Sequence, residues 1–98
     1  MKTIEQRIYD GSRAREVLDN EVFQAVFADI RKDLIESWEN IPSTSENTPA
    51  RDRIHLSLTL LGKVKACIQQ SLETGKLAQM DLEHKRTLAE RLNPSNWR

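Results

Sequence analysis

Two Asp-x-x-His pairs, Asp52 with His55 and Asp81 with His84, are the arrangements in this 98-residue chain with the residue types for acid–base or metal chemistry. On a helix, a three-residue step places carboxylate and imidazole on neighbouring surface positions, where they can share a cation or a proton. Helical-bundle metal sites need more: Glu-x-x-His motifs plus two further inward glutamates. Here one pair falls in an expected helix N-terminal turn and the other on a polar helix, so no metal set is expected. Cys67 and His55 are separated by about 18 Å along a helix and cannot share an ion. A nucleophilic dyad of Cys67 with either histidine is not expected, because a cysteine within an apolar helical stripe ordinarily belongs to a core. Gly75-Lys76 is superficially like the end of a phosphate loop but lacks the preceding glycine and the following hydroxyl. The sequence nominates no catalytic residue, no metal ligand and no cofactor, and an enzyme is not expected.

What would position any site is a set of helices. Three glycines, three prolines and five aromatic residues leave little material for a turn-rich β fold, while Leu, Ala, Glu, Gln, Lys and Arg are placed where helix propensity favours them. The expected class is all-α, in a single helical domain over residues 1–98 with arms at 1–10 and 93–98. After Met1, the stretch to Asp10 offers only Ile4, Ile8 and Tyr9 as apolar side chains and reads as a helix turn or an arm. Gly11-Ser12 provides a cap for a short helix from Arg13 to Leu18. Asp19-Asn20 is a second cap, where the chain is expected to bend.

Two long amphipathic segments then flank the polar stretch Ile41 to Thr48 and predict an antiparallel hairpin over about 20–40 and 49–74. In the first, Phe23, Phe27, Ile30, Leu34 and Trp38 form one helical stripe. Ile41-Pro42 stops it, and Thr48-Pro49 restarts the chain as N-cap and first helical residue. In the second, Ile54, Leu58, Leu61, Ile68 and Leu72 make a heptad-like seam interrupted by Lys65. Leu56, Leu60, Val64 and Cys67 add a second apolar stripe, more than one neighbouring helix can cover. Gly62 suggests a close helix crossing, and Gly75 a left-handed C-cap ending the helix. A last helix from about 76 to 92 carries Leu77, Met80, His84, Leu88 and Leu92 on one face. It must dock on its own chain or on another copy, and Trp97 in the tail is a packing anchor or an exposed hook.

Net charge is zero but unevenly distributed. Glu16 to Glu46 holds eight acids against two bases, whereas Asn47 to Arg91 holds five acids against eight bases. Complementary charge between hairpin arms is the ordinary reading. Arg7, Arg13, Arg15, Arg51, Arg53, Lys63, Lys65, Lys85, Arg86 and Arg91 would contact phosphates if they converged, but a pI near 6.7 and the lack of a short helix-turn-helix argue against nucleic acid. No apolar stretch approaches membrane-spanning or signal-peptide length, and the lone Cys67 cannot form an intramolecular disulfide. The expected compartment is a cytoplasm, with no membrane partner.

Taken in order, Gly11-Ser12-Arg13-Ala14-Arg15, Leu18-Asp19, Phe23, Phe27, Trp38, a polar loop with Pro42, Arg51-Asp52-Arg53, Leu58 and Glu73-Thr74-Gly75-Lys76-Leu77-Ala78 resemble small α-helical proteins encoded by tailed bacteriophages near packaging and head genes. The resemblance spans Gly11 to Leu82 and implies a phage or prophage protein in a host cytoplasm or attached to a virion, acting by binding. The first expectation is an oligomeric assembly or packaging-associated module, using Leu77, Met80, Leu88, Leu92 and Trp97. The alternative is an inhibitor of a host enzyme or defence complex, binding through Asp29, Asp33, Glu36 and Glu39. A nucleic-acid-binding helical protein is the third reading.

Overall fold

The computed structural model describes residues 1–92, and within them the chain is all-α. Its helices are α1 (Ile4–Asp19), α2 (Glu21–Asn40) and α3 (Thr48–Leu92), with a single 3-10 turn at Ser45–Asn47. Among the described residues the packing forms two compact units: Val17–Ile68, and Met1–Glu16 with residues 69–92.

The unit Val17–Ile68 is the expected hairpin. Asn20 stands in extended backbone (φ −71°, ψ 121°) and its side-chain oxygen accepts from the Phe23 N–H at 2.9 Å, capping α2. Gln24 reaches back to the Leu18 carbonyl at 2.7 Å, satisfying an acceptor that α1 leaves open. The chain therefore bends where Asp19-Asn20 predicts. At the other end Ile41 is extended, as a residue before proline should be, and α2 stops. The loop closes on itself through Asn47, whose side chain donates to the Pro42 carbonyl at 3.0 Å. Thr48 is already helical (φ −55°, ψ −46°) and its hydroxyl donates to the Thr44 carbonyl. The 3-10 turn thus takes over the start that the sequence assigns to a threonine cap.

Helix direction within this unit follows from two contacts. Arg51 lies over Trp38 and Lys65 over Phe27, so numbers rising along α3 meet numbers falling along α2. Phe23, Phe27, Leu34, Ile54, Leu58, Leu61 and Ile68 are half-buried between them. The Phe23 and Phe27 rings sit 5.8 Å apart, tilted by 39°. Lys65, the apparent interruption of the seam, holds its ammonium 5.2 Å from the Phe27 centroid while its stem runs along the apolar surface.

The second unit corrects the sequence reading at both glycines. Met1 to Asp10 does not form an arm beyond its first residues: α1 begins at Ile4 behind a reciprocal cap. There the Thr3 hydroxyl accepts from the Gln6 N–H and the Gln6 side chain accepts from the Thr3 N–H. Gly11 is inside α1 and Gly75 inside α3, and neither has positive φ. The helices expected over 49–74 and 76–92 are one helix. A Cβ on Gly75 would stand 2.7 Å from the Gly11 Cα and 2.9 Å from the Arg7 carbonyl oxygen, and a Cβ on Gly11 would stand 2.8 Å from the Gly75 Cα. Here the backbones of α1 and α3 touch, flanked by buried Ala14 and Ala78. The close crossing assigned to Gly62 lies at Gly11 and Gly75 instead, since a Cβ on Gly62 would meet nothing within 4 Å.

Among the described residues only Gly11, Ala14, Gly75 and Ala78 are buried, and no large side chain is. Of the expected core, Ile30 and Trp38 remain 43% and 40% exposed. Truncation of Phe23, Phe27 or Trp38 therefore removes less than the roughly 3–5 kcal/mol that applies to full burial.

Candidate functional site

The polar candidates do not assemble. His55, His84, Asp52, Asp81 and Cys67 are all exposed, and Asp81 is held by Lys85 at 3.2 Å, one turn along the same helix. Among the described residues no three His, Cys, Asp or Glu side chains stand close enough to hold a metal ion. Cys67 is exposed rather than part of a core, because α2 covers the seam beside it and not its own stripe.

Several cations weighed for phosphate contact have partners within the chain. Arg51 stacks at 4.0 Å on Trp38 and donates to the carbonyls of Trp38 and Ile41 at 3.2 and 2.6 Å. It closes the open carbonyl end of α2, a role that no motif announces, although an arginine three residues after a helix restart is in reach of the preceding helix end. Arg13 donates to the Tyr9 hydroxyl at 3.1 Å and pairs with Glu16 at 2.9 Å. These bonds, Tyr9 first, push its pKa further above the usual arginine range, so it stays charged. Lys65 is seated on Phe27.

What the geometry leaves open is apolar. In the unit Val17–Ile68, Val22, Val26 and Ile30 on α2 and Leu56, Leu60 and Val64 on α3 are between 43% and 70% exposed. In the other unit Leu77, Met80, Leu88 and Leu92 are exposed on α3, while Leu72 and Leu82 are half-buried. The four exposed ones are the apolar residues of the stripe expected on the last helix. Trp97 lies outside the described residues. The acidic candidates Asp29, Asp33, Glu36 and Glu39 are exposed on α2; Glu36 lies 3.9 Å from Lys32, and the other three form no ion pair among the described residues. Beside the Gly11–Gly75 contact runs an open groove of about 530 Å³, floored by Ile8, Leu72 and Met80 and edged by Arg15 and Lys76.

Among the described residues no helix is long and apolar enough to cross a membrane. The fold and this surface define an all-α protein of paired antiparallel helices with uncovered apolar faces. No protein-family model, curated protein or solved structure matches the chain.

Proposed function

We propose that this protein acts by binding other proteins, as a non-enzymatic helical module that assembles with copies of itself. Its setting would be the phage packaging or head assembly that the resemblance of Gly11 to Leu82 implies. The observation that carries the reading is the set of exposed apolar side chains repeated at helical spacing on α2 and α3. Scattered apolar residues are normal on a surface, but contiguous rows are characteristic of surfaces that associate. Light scattering across a hundredfold range of concentration tests it: an oligomer is expected, and a monomer throughout would overturn it.

A second reading rests on the acidic row of α2. Asp29, Asp33 and Glu39 stand exposed and form no ion pair among the described residues, as the contact face of an inhibitor of a basic host protein would. Such a complex would weaken steeply as salt rises, whereas an apolar self-assembly would not.

A further inference from the structure

Within the unit Val17–Ile68 the exposed apolar residues are one-sided. At about 100° per residue, Val22, Val26 and Ile30 centre roughly 70° from the packed stripe of α2, and Leu56, Leu60, Val64 and Cys67 roughly 120° from that of α3. The two rotations have the same sign, and the helices are antiparallel. Both rows therefore come out on the same broad side of the hairpin. The register set by the Arg51–Trp38 and Lys65–Phe27 contacts puts Val26 level with Val64, and Ile30 level with Leu60. The opposite side carries Gln24, Arg31, His55 and Gly62, with half-buried Ile35 as its large apolar side chain.

We propose that this side is a two-fold interface with a second copy of the chain, closing two hairpins into a four-helix bundle. The inference rests on the self-assembly reading above and names its surface. Half-exposed, the six large side chains offer on the order of 500 Å² of apolar area, at the upper end of what a monomer leaves uncovered. At the roughly 60–65% apolar content of association surfaces, that corresponds to about 800 Å² per partner, the area a stable dimer needs. A basic or acidic partner would leave half of the rim mismatched, because Asp29 and Asp33 edge the α2 side and Arg53 the α3 side. A second copy matches it. With the two-fold axis along the helices, each α2 lies against the α3 of the other copy, and Asp33 comes level with the first turns of that helix, within reach of Arg53. The chain's zero net charge adds no repulsion between copies. An axis across the helices would instead set α2 against α2 and α3 against α3, and Asp33 would no longer lie beside the other copy's α3.

Sedimentation equilibrium on the full chain, with circular dichroism for helicity, provides the test. The wild type is expected to dimerise, Leu60→Asp to weaken dimerisation at least 100-fold with helicity kept, and Met80→Asp on the other unit to leave it unchanged. Asp33→Arg and Arg53→Asp should each weaken the dimer about fivefold or more, and the double variant should recover it. In the wild type alone, Cys67 should react with a thiol reagent at least tenfold more slowly above the dimerisation concentration than below it. That measurement stands even where Leu60→Asp fails to fold. A monomeric wild type would overturn both the assembly reading and this interface. An oligomer that survives Leu60→Asp, dissociates with Met80→Asp and leaves Cys67 equally reactive would overturn the interface alone.

Discussion

The guanidinium of Arg51 lies 4.0 Å from the centre of the Trp38 ring while its Nη1 donates to the Trp38 and Ile41 carbonyls. One side chain from the first turn of α3 thereby closes the end of α2 and covers its aromatic residue. Arg51→Ala should cost about 2 kcal/mol, since it removes charge-assisted hydrogen bonds and a cation–π contact together. Arg51→Lys should lose about half as much, an ammonium being unable to stack and fork at once. Urea unfolding followed by circular dichroism measures both, and an unchanged midpoint for Arg51→Ala would contradict the assignment.

Two glycines of the same helix should respond to alanine with opposite signs. Gly62 faces open space, so Gly62→Ala should stabilise by about 1 kcal/mol through helix propensity. Gly75 faces the α1 backbone at under 3 Å, so Gly75→Ala must push the helices apart and should destabilise by about 1–3 kcal/mol. Thermal unfolding of the two variants side by side checks the crossing directly.

Capping at the bend is the third point of test. Asn20→Ala should cost about 1 kcal/mol, and Asn20→Asp should keep most of the cap. Thr3→Ala, which breaks the reciprocal cap on α1, should cost about 0.5–1 kcal/mol and be visible as faster amide hydrogen exchange in the first turn.

The Lys65–Phe27 contact predicts a coupling rather than a large single effect. Lys65→Gln should lose about 0.5 kcal/mol in the wild type and nothing in a Phe27→Leu background. Equal losses in both backgrounds, read from a double-mutant cycle of denaturation midpoints, would show that the ammonium draws nothing from the ring.

Local signals carried much of the fold. Asn20, Ile41-Pro42 and the spacing of Phe23, Phe27, Ile54, Leu58 and Leu61 act over a few residues, and the bend, the stop and the seam occur where they predict. Thr3-x-x-Gln6 has the pattern of a capping box and starts α1 although few apolar side chains follow it. Gly75 misled for the opposite reason. A glycine after Glu73-Thr74 is a common helix end in isolation, yet in this fold its missing side chain serves contact with another backbone.

By itself, then, the sequence determined that the protein is helical, where α2 starts and stops, and that α3 has more apolar surface than one neighbour can cover, all consequences of short-range propensity and periodicity. Only the tertiary structure decided which apolar rows are covered. Gly11 meets Gly75 across more than sixty residues of chain, a meeting no local pattern encodes, and α3 continues through the expected break. Antiparallel pairing of α2 with α3 then covers the Leu58–Leu61 seam and leaves Leu56, Leu60 and Val64 bare. Periodicity gives each helix its rows, but which row faces inward depends on how the helices pair, and that is settled by packing over long separations.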